Sequence, residues 1–174
     1  HVINPTVSAA NVNWNDSSTG SWSLSAGYEI AQVTVNDVPV EVNGNEYTVE
    51  GIQADTHIQI TTKASSGIGY KVEYYYQDAA DGAFKIDEDR TDTDRTGTTD
   101  TLVAVTREDK EPGRDNYVFD ESNPNNVLEA SLAGTGETTL KVYFKLQYEV
   151  SISGDEHVIN PTVSAANVNW NDSS

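Results

Sequence analysis

Hydrophobic and polar residues alternate with a period of two along most of the chain, which is the pattern of strands with one buried face. The clearest example is LKVYFKLQYEV at 140–150, where lysine, glutamine and glutamate separate the hydrophobic positions. The residues that share its hydrophobic face are Leu140, Val142, Phe144, Leu146, Tyr148 and Val150. Successive strand residues point to opposite faces, so Lys141, Lys145, Gln147 and Glu149 are expected to point away from the core. The pattern predicts a mostly-β fold.

Further strands are predicted at SWSLS, EIAQVTV, THIQITT, YKVEYYYQ and DTLVAVT. Asn43-Gly44 lies between Val38, Val40 and Val42 on one side and Tyr47 and Val49 on the other. Both residues tolerate positive φ, so the dipeptide predicts a tight hairpin there. Helical signals are weak: a turn or two around TREDKEP, and another near NPNNVLEA, where Pro124 suits a first helical position.

The chain contains an internal repeat, because HVINPTVSAANVNWNDSS at 1–18 recurs unchanged at 157–174. Such identity indicates a parent protein built of tandem units; an artificial duplication is the alternative explanation. Small, flexible residues in KASSGIG, at 63–69, indicate a boundary between modules. We therefore predict a first module at 1–65, a second at 66–152, and the start of the next repeat at 153–174.

Composition excludes several functions. The 174 residues suit two small domains, and 10 basic against 28 acidic residues give a net charge of −18 that repels nucleic acid. No apolar run reaches the roughly 18 residues of a membrane-spanning helix, so no membrane insertion is expected in this segment. The chain has no cysteine and no methionine, which excludes disulfides, thiolate metal sites and cysteine nucleophiles.

The tyrosines of YKVEYYYQ raise the question of a binding platform. In an extended strand Tyr70, Val72, Tyr74 and Tyr76 share one face, while Tyr75 lies on the other. A tyrosine row beside valine favours sheet core, with Tyr75 as the exception. Sugar stacking is an alternative for Trp14 and Trp22, although both segments also have the pattern of strands with one core aromatic. We expect no catalytic cleft in the chain. We also expect the following rings to be mostly buried: Trp14, Trp22, Tyr28, Tyr74 and Phe144.

The acidic run DEDRTDTDRTGTTD partly resembles a calcium-binding loop. Asp92, Asp94 and Gly97 match an EF-hand pattern, but Thr96 stands at the third ligand position and Val103 replaces the closing glutamate. We interpret the run as a solvated charged loop whose own arginines neutralise part of the repulsion. A weak calcium site is the alternative, and no metal ligand is assigned.

No enzyme constellation is visible, so we predict neither enzymatic activity nor a cofactor. The histidines are His1, His57 and the duplicate His157, and His57 belongs to an alternating strand. GTGETT at 134–139 lacks the lysine of a phosphate-binding loop and indicates a turn. An internal isopeptide bond between a lysine and an asparagine needs a buried carboxylate beside the lysine. None is expected, because period two turns the strand lysines away from the core: Lys71, Lys141 and Lys145.

Two segments resemble known repeat families. SLSAGYEIAQVTVNDVPVEVNGNEYTVEGIQADTHIQITT is similar to a repeat of bacterial surface proteins, in its glycine-tyrosine, its VTVN strand and its ADTHIQI strand. The segment from YKVEYYYQDAADGAFK to LKVYFKLQYEV resembles a mucin-binding-protein repeat, with a DG turn and a TG step. Asp115-Asn116-Tyr117 stands where that family has glycine-tyrosine. The resemblance implies two β-grasp-like modules in tandem, elongated, each with a mixed sheet over a short helix.

The resemblance implies a repeat of a Gram-positive-type adhesin, extracellular at the cell wall. Its expected partners are mucin, a glycan or a host or neighbour-cell protein, bound weakly with avidity from the array, and neighbouring repeats of the same chain. The alternative is a passive stalk that projects a distal head. The duplicated tail is expected to pack on the first module of another molecule, or alternatively on its own second module.

Overall fold

The computed structural model describes residues 1–153 and the backbone of residues 167–169. Among these described residues every regular element is a strand apart from a short 3-10 helix at Glu108–Lys110, so the prediction of a mostly-β fold is confirmed. In chain order the strands are β1 Val2–Val7, β2 Asp16–Leu24, β3 Tyr28–Val35, β4 Val38–Val40, β5 Glu46–Ile52, β6 Ile58–Ala64, β7 Ile68–Gln77, β8 Phe84–Ile86, β9 Asp92–Gly97, β10 Leu102–Ala104, β11 Tyr117–Phe119, β12 Glu129–Ser131, β13 Thr139–Glu149 and β14 Asn167–Asn169.

The chain forms two compact units. The first consists of His1–Ile68, Thr96–Thr101 and Leu132–Gly136, and the second of Gly69–Arg95, Leu102–Ser131 and Glu137–Ser174. The modules predicted from the sequence were continuous ranges, whereas each unit is assembled from three segments.

The first unit contains two antiparallel three-stranded sheets, in the orders β1-β2-β5 and β4-β3-β6. Trp22 on β2 and Val33 on β3 are its most buried strand side chains, with 5% and 1% of their surface exposed. Glycine is required where residues 132–136 meet the loop after β2. A Cβ on Gly134 would lie 2.3 Å from the carbonyl oxygen of Ala26, far inside van der Waals contact. The segment GTGETT was predicted only as a turn. Its Gly134 also lets two stretches of backbone lie closer together than a side chain would allow.

The predicted hairpin at Asn43-Gly44 is wrong. β4 pairs with β3, while β5 pairs with β2, so the segments on either side of Asn43-Gly44 belong to different sheets. The tight turn is Asn36-Asp37 instead, where both residues have positive φ, 48° and 66°, and Val35 pairs with Val38. Asn and Asp are the non-glycine residues best able to adopt this conformation. The sequence therefore contained two dipeptides suited to a hairpin turn, and alternation did not show which one formed it.

The main sheet of the second unit has the order β11-β13-β7-β8, and β9 also pairs with β7. β7 and β13 run parallel, with Thr139 opposite Lys71 and Phe144 opposite Tyr76 at the ends of the register. Their other neighbours, β8 and β11, pair antiparallel, so the sheet is mixed. β10 and β12 form a separate antiparallel pair.

The core of the second unit lies along β7 and β13. Seven side chains of these strands are at least 96% buried: Val72, Tyr74, Tyr76, Leu140, Val142, Phe144 and Leu146. The predicted hydrophobic face of β13 is thus confirmed for its first four positions. It is wrong for Tyr148 and Val150, each 37% exposed, because they lie beyond the last β11 partner, Leu146.

The two helical signals have different outcomes. TREDKEP contains the 3-10 helix at Glu108–Lys110. NPNNVLEA contains no helix: turns at 123–126 are followed by a bridge from Val127 to Lys141 and by β12. The pairing of Val127 with Lys141 of β13, and of β12 with β10, satisfies the backbone there in place of helical hydrogen bonds.

The described part of the duplicated tail lies on its own chain. The backbone of β14 pairs antiparallel with the end of β13, with Val168 opposite Tyr148. For residues 167–169 this pairing agrees with the alternative prediction, in which the tail packs on the second module of its own chain. The rest of the expectation concerns 154–166 and 170–174, which lie outside the described residues.

Truncation of Phe144 to alanine should destabilise the second unit strongly. Phe144 is fully buried and stacks on Tyr76 with ring centroids 4.9 Å apart. Loss of a buried phenylalanine costs about 3–5 kcal/mol of unfolding free energy, measurable by urea denaturation. Leu102→Ala is the control: Leu102 is 66% exposed, and its change should stay within about 0.5 kcal/mol. Equal, small effects in both variants would contradict the assigned core.

Candidate functional site

The tyrosine row on one face of β7 is core. Val72 is fully buried and Tyr74 and Tyr76 are each 4% exposed. Tyr76 packs edge-on against Tyr117, at 5.0 Å between centroids, in addition to its stack on Phe144. The prediction of sheet core is confirmed for Val72, Tyr74 and Tyr76, whereas Tyr70, at the start of the row, is only half-buried.

An arginine covers the aromatic face. The guanidinium carbon of Arg90 lies 4.2 Å from the ring centroid of Tyr74 and 5.0 Å from that of Phe144. The same group donates to the carbonyl oxygens of Glu111, at 2.6 Å, and Pro112, at 2.7 Å, and to the hydroxyl of Tyr76. Arg90 therefore binds rings and backbone carbonyls. The other arginine of the acidic run, Arg95, forms an ion pair with Asp92 of the same run.

Asp109 forms the most buried ion pair of the second unit. Its carboxylate, 4% exposed, accepts from both terminal nitrogens of Arg95 at 2.6 and 2.8 Å. It also accepts from the hydroxyl of Tyr74 at 2.5 Å and from the backbone N–H of Thr106 at 2.6 Å. Burial acts to raise the pKa of Asp109, but hydrogen bonds from Arg95, Tyr74 and Thr106 outweigh it and hold the pKa well below its usual range.

The opposite face of β7 is also occupied. Tyr75 stacks on Tyr143 with ring centroids 4.5 Å apart, and Phe84 meets Tyr143 edge-on at 5.2 Å. The Tyr75 hydroxyl donates to Glu73 at 2.8 Å. Burial first, and then this hydrogen bond, raises the pKa of Tyr75 to about 12. Tyr75, the tyrosine predicted to lie outside the core row, is thus in contact with Tyr143 through its ring and with Glu73 through its hydroxyl.

The acidic run at 87–100 is partly a strand, β9, and not a loop throughout. Its carboxylates pair with arginines: Asp92 with Arg95 at 2.8 Å, and Asp87 with Arg114 at 2.5 Å. Within the described residues, no three His, Asp or Glu side chains are grouped so as to hold a metal ion.

Trp14 gives the first unit its exposed aromatic surface. The ring is 73% exposed, so the prediction of burial is wrong. Trp14 lies in a turn before β2, and Asn15 adopts a φ of 69°, which interrupts the extended backbone that the alternation indicated. The ring lines an open groove of about 770 Å³ together with Val12, Gln53 and His57.

The remaining predicted rings are covered to different degrees. Trp22 is buried as expected, and Tyr28 is half-buried. His1 stacks on Tyr28 with ring centroids 3.4 Å apart. His57 precedes β6 and is exposed at the Trp14 groove, so its placement inside an apolar strand is wrong.

Alternation alone did not indicate the groove, Arg90 or Asp109. The groove combines residues of the turn after β1 with the segment between β5 and β6, which are far apart in sequence. The asparagine-rich stretch around Trp14 was the available signal, since asparagine favours turns over strands.

In the described part of the chain, no helix has the length and apolar character needed to cross a membrane. Comparison with protein-family models, with curated proteins and with solved structures finds no match to this chain. The resemblance to bacterial surface repeats stays a prediction.

Asp109→Asn should lower stability at neutral pH and flatten its acid dependence. Removing one charge of a buried pair costs about 3 kcal/mol or more. Because the folded pKa of Asp109 is depressed, its contribution is present above the unfolded-state pKa of about 3.9 and declines as pH falls toward the folded value. Urea unfolding at several pH values measures both effects.

Asp89→Asn is the matched control, because Asp89 is an exposed carboxylate of the same unit. Its stability and pH profile should follow those of the unchanged chain. A gap between Asp109→Asn and the unchanged chain that persists undiminished at pH values well below 4 would contradict the assigned role of the carboxylate.

Proposed function

We propose that this chain is a repeat unit of a bacterial cell-surface adhesin of the Gram-positive type, and that its second unit carries tensile load in the array. The observation that supports load bearing most directly is the parallel pairing of β7 with β13. The adhesin assignment rests on the repeat and on the resemblance described above.

The parallel pair determines how tension acts on the second unit. The chain first enters this unit at the start of β7 and finally leaves its main sheet at the end of β13. In a parallel pair these two points lie at opposite ends. Tension along the chain therefore slides the strands past each other, and the register from Thr139 to Phe144 is loaded all at once. Hydrogen bonds loaded together resist more force than bonds opened one by one.

Two further observations agree with a load-bearing repeat. The identical segments at 1–18 and 157–174 indicate an array, in which every unit transmits the same force. β7 and β13 are buried on one face by aromatic and aliphatic core and on the other by the Tyr75–Tyr143 stack. Water therefore has poor access to the hydrogen bonds that carry the load.

Binding of a neutral glycan at the Trp14 groove is a second candidate function. Trp14 exposes its ring, and Asn11, Asn13 and Gln53 place amide groups along the same groove. Stacking on an aromatic face combined with a few polar groups is how small ligands are oriented in such sites. The net charge of −18 disfavours acidic sugars. One exposed ring in one open groove suits weak binding, which an array amplifies.

Force applied through different attachment points should separate shear from unzipping. The chain has no cysteine, so paired substitutions place the handles uniquely. Ser66→Cys with Ser151→Cys loads β7 and β13 in shear, whereas Ala80→Cys with Ser151→Cys pulls both strands from the same end. We expect a several-fold higher unfolding force for the first pair in single-molecule pulling. Equal forces would contradict the load-bearing role.

Glycan retention should depend on Trp14 and on repeat number. We expect three repeats in series to be retained on a neutral-glycan or mucin surface more strongly than one. Trp14→Ala, with the same change at its copy Trp170, should abolish the difference. Leu102→Ala is the control, because it removes an exposed hydrophobic side chain elsewhere. If no protein is retained on the surface, glycan binding is contradicted and the repeat acts only as a spacer.

A further inference from the structure

Asp120 binds a lysine and an asparagine through its two carboxylate oxygens. It directly follows β11 and is 8% exposed. The ammonium of Lys145 lies 3.5 Å from Oδ1, and the side-chain Nδ2 of Asn123 donates to Oδ2 at 3.1 Å. The hydroxyl of Ser122 also donates to Oδ1, at 3.0 Å. A nucleophilic amine and a carboxamide are therefore held on one nearly buried carboxylate.

The strand pairing brings Lys145 to this position. Lys145 lies opposite Val118 in the β11–β13 register, so Asp120 follows two residues later on the neighbouring strand. The side chain of Lys145 is 29% exposed. Period two turns Lys145 away from the core, as expected, and on that polar side of β13 its ammonium meets Asp120, which comes from a different segment.

Asn123 has the features of an activated amide. It is 8% exposed, and its Oδ1 accepts the backbone N–H of Asn125 at 3.0 Å. This N–H polarises the carbonyl and is placed to hold negative charge that develops on the oxygen. The next residue is Pro124, which has no backbone N–H. The usual attack on an asparagine by the following backbone nitrogen therefore cannot occur here, which preserves the amide for another nucleophile.

We propose that Lys145 and Asn123 are joined by an intramolecular isopeptide bond, with Asp120 as the proton carrier. Asp120 takes a proton from the Lys145 ammonium, and the neutral Nζ attacks Cγ of Asn123 to form a new C–N bond. The Asn125 N–H holds the oxyanion. Asp120 then protonates Nδ2, the Cγ–Nδ2 bond breaks, and ammonia leaves. Asp120 next accepts the second proton of Nζ, which departs with the ammonia as ammonium. No oxidant or cofactor is needed.

The bond would close a covalent loop from residue 123 to residue 145. It would tie the turn after β11 to β13 and reduce the conformational freedom of the unfolded chain, as a disulfide does. The chain has no cysteine, so this is a cross-link that needs no oxidising conditions. The chemistry is independent of adhesion and of load bearing, and each proposal can fail without the other.

Mass spectrometry of the unchanged, folded protein tests the bond directly. We expect an intact mass lower by one ammonia than the sequence mass, and a branched tryptic peptide that joins Asn123 to Lys145. Trypsin should not cleave after Lys145, because its amine is acylated. An intact mass equal to the sequence mass, or an ammonia loss that maps to another asparagine such as Asn43, would overturn the proposal.

Matched variants assign the roles of the three residues. Lys145→Arg and Asn123→Ala should restore the full mass, since each removes one partner of the bond. Asp120→Asn keeps both partners and should also restore it, because the proton carrier is lost. Lys141→Arg on the same strand should retain the branched peptide. Persistence of the branched peptide in Asp120→Asn would overturn the role of Asp120. The measurement on the unchanged protein decides the bond even where a variant fails to fold.

Discussion

The parallel pairing of β7 with β13 is the constraint on which the second unit depends. Parallel pairs are usually buried on both faces, and this pair follows that rule. On one side the rings of Tyr74, Tyr76 and Phe144 form the core, and on the other Tyr75 stacks on Tyr143. The core face of the tyrosine-rich strand is therefore closed to a ligand, and on the other face Tyr75 is stacked and half-buried. The same pairing places the entry and exit of the unit at opposite ends of one ladder.

Two of the few basic residues, Arg90 and Arg95, serve the interior of the second unit. The chain has only 10 lysines and arginines against 28 acidic residues, yet Arg90 lies over the buried rings and Arg95 holds the buried Asp109. Both arginines connect the sheet to the segment around the 3-10 helix, through backbone carbonyls in one case and a carboxylate in the other. The acidic excess is left on the surface, where its negative potential repels other anions.

The places left for chemistry lie away from the aromatic strand. In the first unit it is the groove beside Trp14, and in the second it is the carboxylate of Asp120 with Lys145 and Asn123. Neither depends on an enzyme-like cleft. The proposed binding surface, the proposed shear loading of the parallel pair and the proposed internal cross-link would each gain from repetition along a chain, because the contribution of every unit adds to that of the others.

The sequence by itself determined the strands, since alternation is a local property and most predicted segments coincide with β2, β3, β6, β7 and β13. It also determined the core of β13 from Leu140 to Leu146. Only the tertiary structure decided which strands pair, and with that the choice of Asn36-Asp37 over Asn43-Gly44 as the hairpin turn. The exposure of Trp14 and the position of Lys145 were decided in the same way. Strand pairing, and the exposure of side chains outside regular strands, depend on neighbours remote in sequence, and a period of two does not specify which neighbours those are.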